Sequence, residues 1–320
     1  MTSCIGLTAD QHKRLQEIGE LLLTARDLHL STFSIEPRPG SQAAKDFSKA
    51  LSRKVQRSGE TVAPWSQGSL KGPRELAVNL MHQAAIHLDA LGLLFVADRF
   101  EDVPGTVARS AFEYISRAVW ILDPAVDHRV RCARQQLTDL ASFDQWRKAR
   151  KMSIPAADRA ADSKQLSKIR KSGIAKLTEM FATGVDDKDK LVLPLDEKSD
   201  LPILADQTYL MFTDLAGHFG KTAGWAIDGR EVYDALSLGA HPQGHPGFTG
   251  TLVDQGDGTS RRQINYSHLE RLAEIAASAY YDGVSCVLSY HGNVDNPALK
   301  SWGESLDVLF PRTAGAKPAL

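Results

Sequence analysis

The sequence predicts an all-α fold: an antiparallel helical bundle with an N-terminal arm and a short β-hairpin before the last long helix. Three features predict it. Apolar residues recur at helical spacing through most of the chain. Prolines stand at the beginnings of these periodic stretches, where a missing N–H costs nothing. The strongest stretches are joined by short connections, so their helices are expected to pack as antiparallel neighbours.

Thr8, with Gln11 three residues later, forms a capping box that opens a helix through about Leu30, with Leu15, Ile18, Leu22 and Ala25 on its inner face. From Ser31 to Gly72 the composition turns polar and contains Pro37, Pro39, Gly40 and Pro64. One short amphipathic helix is expected there, between Ala43 and Arg57. The rest is a long excursion of the kind that covers a site or a partner surface.

Gly72-Pro73 is expected to start a helix to about Arg99, with Leu76, Leu80, Ala84, His87, Leu91 and Leu94 on one face. Val103-Pro104 starts the next, which ends before Pro124 and carries the stripe Ala108, Phe112, Ile115, Val119 and Leu122. A third runs from Pro124 to near Met152. Ser163 to Ala182 is helical and basic at first, and Gly184 to Ala205 is a charged loop. Short helices follow at about Asp206–Phe219 and Asp228–Ala240. Gly247 to Ile264, centred on Gly256-Asp257-Gly258, is expected to form the hairpin. A long helix from Ser267 to Tyr290 and a shorter one at Pro297–Phe310 complete the bundle. Residues 1–72 are thus read as N-terminal helix and arm, 73–311 as the bundle domain and 312–320 as a disordered tail.

Composition narrows the function classes. The chain has 320 residues, 42% hydrophobic, enough to bury a full core. Its 38 basic and 39 acidic residues leave a net charge of -1, which gives no long-range pull toward nucleic acid or an anionic membrane. Cys4, Cys132 and Cys286 are odd in number and far apart, which speaks against a disulfide framework or a structural zinc site. Asp10, His12, Lys13 and Arg14 precede any apolar run, unlike a signal peptide, and the most apolar window is too short to span a bilayer. A cytoplasmic protein with no membrane partner and no cofactor is expected.

The residues that could carry chemistry lie on two of the predicted helices. Arg109 and Glu113 stand at i and i+4, with Ser116, Arg117 and Trp120 continuing that side. They are either an ion pair beside a core stripe or a guanidinium held ready for a phosphate or carboxylate. Tyr233, Ser237 and His241 follow at successive i+4 steps, and Pro242 ends the helix, placing His241 at its C-terminal end. There the helix dipole favours imidazolium, so His241 is either an acid and phosphate contact or a carbonyl cap.

His87 lies on an apolar stripe, as a hydrogen-bonded core residue or a substrate contact. His82 lies off that stripe, and the spacing of the pair misses i+4 metal chelation. His241 and His245 are a two-histidine fragment, too little for a metal site, so no metal is assigned. No GxSxG elbow, GxGxxG loop or P-loop occurs. The basic run Lys164–Lys171 is a solvated helix face that RNA could use.

A helix, then Ala108-Arg109-Ser110-Ala111-Phe112-Glu113, then Tyr233-x-x-Leu236-Ser237-x-x-x-His241-Pro242 resembles a group of uncharacterised bacterial helical proteins similar to the HEPN-like bundles. The resemblance covers residues 75–150 and 206–291. It implies a homodimeric protein of bacterial defence or stress that takes RNA or a nucleotide as partner, as a metal-independent ribonuclease or an inactive binding relative. Arg109, Glu113, Ser237 and His241 would then be catalytic, with His87, Arg117 and Tyr233 as substrate contacts. The superfamily's ribonucleases use a closely spaced Arg and His, which could hold a phosphate and supply an acid or base. Arg262 and His268 have that spacing, with Gln263 after the arginine, but ten histidines make one chance match expected and no catalysis is assigned to them. Two alternatives stand beside this: a non-enzymatic protein-interaction module, and a small-molecule enzyme with a pocket of His87, Glu113 and His241 in the bundle core.

Overall fold

Helices dominate the computed structural model, as the periodicity requires, and the strands among the described residues form short antiparallel pairs. It describes residues 7–33, 36–52, 55–57, 60–62, 67–99, 103–182, 184–186, 190–238, 251–254, 260–263 and 265–311. The expectations for His241, His245 and the tail 312–320 lie outside the described residues.

The elements in chain order are α1 (Ala9–Leu23), α2 (Ala25–Thr32), α3 (Gln42–Ser52), β1 (Val55–Arg57), β2 (Glu60–Val62), α4 (Gln67–Val96), α5 (Val103–Leu122), α6 (His128–Ser153) and α7 (Arg159–Phe181). There follow β3 (Gly184–Val185), β4 (Leu191–Val192), β5 (Leu195–Asp196), β6 (Leu201–Pro202), α8 (Phe212–Thr222) and α9 (Gly229–Leu238). The chain continues through β7 (Thr251–Asp254), β8 (Ser260–Gln263), α10 (Tyr266–His291) and α11 (Pro297–Leu309). The hairpin expected before the last long helix is β7–β8, with Thr251 opposite Gln263 and Asp254 opposite Ser260.

These elements form two compact units. One comprises residues 1–41, 77–122 and 211–320; the other comprises 42–76 and 123–210. The sequence boundary at residue 72 therefore falls inside α4, and α5 and α6, expected as neighbours in one bundle, belong to different units.

In the first unit, α5 packs against α8, α9 and α10. Its predicted stripe is fully buried, from Ala108 through Phe112, Ile115 and Val119 to Leu122. Phe112 meets Phe219 of α8 edge-on at 5.3 Å between ring centres, and Phe219 meets Trp225 in the same manner at 5.0 Å. The Thr8–Gln11 capping box forms in both directions and starts α1 as predicted. The predicted single helix to Leu30 instead bends at Thr24, whose hydroxyl donates to Leu21 O and accepts from the Trp302 indole of α11. That cross-helix bond gives the break a partner far along the chain.

The inner face of α4 is a step round from the predicted one. Ala77, Met81, Ala84, Leu88, Leu91 and Phe95 are buried, while Leu76, Leu80, His87 and Leu94 are half-buried. The cause is that α4 is enclosed on several sides. Gly92 lies so close to α1 that a Cβ would stand 2.6 Å from Gly19 O, and Met81 packs at Gly283 of α10. Pro73 lies inside this helix rather than at its start.

In the second unit, α6 packs against α3, α7 and β6. Cys132, Ala133, Leu137 and Leu140 of α6 form a core with Leu177, Phe181, Leu201 and Leu204. Asp127 caps α6 by accepting from Val130 N, so the helix begins after the Pro124 turn and not at it. The stretch expected as a loop between 184 and 205 contains the two-residue pairs β3–β4 and β5–β6.

Candidate functional site

In the first unit, α5 and α9 bring three of the predicted site residues into one closed ring. Arg109 and Glu113 face the same way because they are one helical turn apart. Arg109 Nε donates to Glu113 Oε1 at 2.9 Å. Tyr233, at a separation of 120 residues from Glu113, donates its hydroxyl to the same oxygen at 2.9 Å. It also accepts from Arg109 Nη2 at 2.7 Å. The guanidinium lies over the Tyr233 ring, 5.0 Å from its centre. Every edge of the triangle is a polar contact. The side chains of Arg109 and Glu113 are 23% and 20% exposed, so the ring is neither sealed in the core nor fully solvated.

Electrostatics follow from this burial. Desolvation, reinforced by Glu113, raises the Tyr233 pKa, so its phenol stays protonated at neutral pH and remains a donor. Glu113 Oε2 takes no hydrogen bond among the described residues and remains available as an acceptor. His87 stacks on Tyr114 at 5.4 Å, with ring planes 20° apart. Burial lowers its pKa, and nearby Glu113 partly opposes the shift, which leaves the imidazole neutral at pH 7. His87 is thus at the edge of the polar cluster and not in the core.

The other predicted residues are placed as follows. Ser237 donates to Tyr233 O at 2.7 Å, which holds its hydroxyl on the backbone of α9. Arg117 is buried two turns beyond Arg109, with its guanidinium 5.4 Å from the Trp120 ring centre and 5.7 Å from that of Phe212. It does not join the ring. His241 lies outside the described residues, so its position relative to Ser237 is not described. Among the described residues no group of three or more His, Cys, Asp or Glu side chains is arranged to hold a metal ion. Among them, too, no helix is long and apolar enough to cross a membrane.

Two clusters carried no sequence signal strong enough to single them out. One is the aromatic pair His29–His82, with ring centres 4.9 Å apart. The other is a buried charge network in the second unit. There Arg131 donates to Asp46 at 2.5 Å and to Asp123 O at 2.9 Å, while Arg134 pairs with Asp123 at 3.2 Å and bonds Gln207 at 3.0 Å. A third, the basic cleft at the α6–α7 junction, was visible in part: Arg147-Lys148-Ala149-Arg150-Lys151 places four cations in five residues. Comparisons with protein-family models, with curated protein sequences and with solved structures find no match.

Proposed function

We propose that the Arg109–Glu113–Tyr233 ring handles a phosphate-bearing ligand, RNA or a nucleotide, in a metal-independent, HEPN-like helical protein of bacterial defence or stress. The observation that supports this is the convergence of a guanidinium, a carboxylate and a phenol from two helices remote in sequence. An ion pair serving α5 alone would not need Tyr233. A phosphate entering the ring competes with Glu113 for the Arg109 fork, which suits two oxygens of one phosphate. Tyr233, held protonated, donates to a further phosphate oxygen. Glu113, released from Arg109, is placed to accept the proton of a ribose 2′-hydroxyl. His241 is assigned the proton donated to the leaving 5′-oxygen, and the stacked His87–Tyr114 pair provides an aromatic surface for a base. A cytoplasmic homodimer is the proposed setting.

The test is cleavage of mixed RNA by purified protein in the presence of EDTA, comparing wild type with Arg109→Ala, Glu113→Gln and His241→Ala. Each substitution is expected to lower the rate by about 100-fold or more, with the helical circular dichroism unchanged. Absence of cleavage by wild type, with no binding of labelled nucleotides, removes this proposal and leaves the ring as a structural clamp between α5 and α9.

A further inference from the structure

The second unit carries a concentration of positive charge that the ring does not explain. Between residues 147 and 171 stand Arg147, Lys148, Arg150, Lys151, Arg159, Lys164, Lys168, Arg170 and Lys171, against only Asp158 and Asp162. Ion pairs take up some of these cations: Arg150 pairs with Asp162 at 2.9 Å, while Arg147 and Arg170 share Asp144. Lys148, Lys151 and Arg159 make no ion pair among the described residues. All three line a cleft of about 230 Å³ where the end of α6 meets the start of α7.

The cleft has the further parts that an anion requires. Arg159 Nε donates to Ile154 O at 3.0 Å, which fixes the guanidinium, and its terminal nitrogens make no hydrogen bond among the described residues. Ser163 lines the wall beside Asp162, on the flank of the first two turns of α7. Beside the cleft, Trp146 is 47% exposed, with the Arg150 guanidinium 5.3 Å from its ring centre. A concave site of this volume accepts phosphate groups one or two at a time. A bilayer would instead need a convex apolar face.

We infer that the α6–α7 cleft is a docking site for the phosphate backbone of RNA, held by Lys148, Lys151 and Arg159. It reads charge and spacing, not base sequence, because these contacts go to phosphate oxygens. The site stands apart in the chain from Arg109, Glu113 and Tyr233, so it holds whether or not the ring cleaves.

The geometry supplies its own control. At 100° per residue, Lys164, Lys168 and Lys171 fall on the side of α7 opposite the cleft-lining Arg159, Asp162, Ser163 and Leu166. Affinity of the full chain for a fluorescein-labelled RNA 20-mer is to be measured by anisotropy across a salt series. Lys148→Glu/Arg159→Glu is expected to weaken binding by about 10-fold or more and to lower the salt slope by about two, while Lys164→Glu/Lys168→Glu, with the same change in charge, stays within about threefold of wild type. Arg109→Ala is measured in parallel for both affinity and cleavage: it is expected to lose cleavage and to lose clearly less affinity than the cleft variant, which separates failure of the ring from failure of the cleft. The inference is overturned if wild type does not bind, if both double variants weaken equally, or if Arg109→Ala loses as much as the cleft variant. Sedimentation with phosphatidylcholine/phosphatidylserine vesicles in preference to RNA would also overturn it. Both double variants change exposed side chains, and circular dichroism checks that they fold.

Discussion

Buried titratable side chains make the first unit sensitive to acid, and His29 is the sharpest case. It is 6% exposed, its Nδ1 has no hydrogen-bond partner among the described residues, and its ring lies against Phe33 and His82. Burial, then the neighbouring His82, lowers its pKa to about 4. The unfolded chain takes up that proton near pH 6.5, so between about 6.5 and 4 it binds more protons than the folded one. The stability that neutral His29 contributes is therefore full above this window, is lost as the pH falls through it, and is gone below it. His87 and His268 are shifted in the same direction, mainly by burial, and steepen the slope. Urea denaturation at pH 7 and pH 4.5 is expected to show a smaller acid loss for His29→Phe than for wild type, by about 1–2 kcal/mol. Phenylalanine keeps the ring contact and removes the proton. Equal losses in the two proteins would assign the acid sensitivity to carboxylates instead.

At the scale of elements, the ring depends on how closely α9 approaches its neighbours. Gly229, the first residue of α9, lies where a Cβ would fall inside the van der Waals shell of Ala216 O. The obstacle is backbone of α8, so it cannot swing aside as a side chain would. Gly229→Ala is expected to push α9 off α8, to cost about 1–3 kcal/mol, and to draw Tyr233, one turn along, away from Arg109. Thermal unfolding and the Arg109 Nε NMR shift check this. An unchanged melting temperature with an unchanged shift would show that the corner yields elsewhere.

The same closeness explains what could be read from the sequence. The α5 stripe was legible because the first half of the helix buries one face, marked by Ala108 and Phe112. The stripe runs on from Ile115 to Leu122, where every residue is buried. The α4 face was read one step off because α4 is enclosed by α1, α5 and α10, and such a helix fits more than one stripe. Arg109 and Glu113 were legible as a pair, and Tyr233 as a separate candidate. No local pattern could join them, since their meeting depends on a corner at Gly229 and on packing that spans 120 residues. The turn at Thr24 was illegible for the same reason, because its indole partner is Trp302.

For the whole molecule, a net charge of -1 averages over very unequal parts. The first unit keeps its polar ring and buried histidines, while the second holds both the basic cleft and a fully buried ion network. Arg131 in that network is 1% exposed and Asp46 6%, and their pairing ties α3 to α6. Removing one partner of such a pair strands a charge that water cannot reach, at a cost of about 3–5 kcal/mol, more than the pair itself contributes to folding. Asp46→Ala is therefore expected to open the unit that contains it. Cys132, in the core of that unit, reports the opening chemically: burial, then Asp46, raises its thiol pKa to about 12, so it resists alkylation in the native state. In Asp46→Ala, native-state hydrogen exchange is expected to accelerate in 42–76 and 123–210, with Cys132 becoming reactive, while α5 and α10 keep their protection. A uniform loss across both units would mean that they unfold as one cooperative body. A loss confined to α3 would mean that Arg131 finds a new acceptor, and that the network is more adaptable than its burial implies.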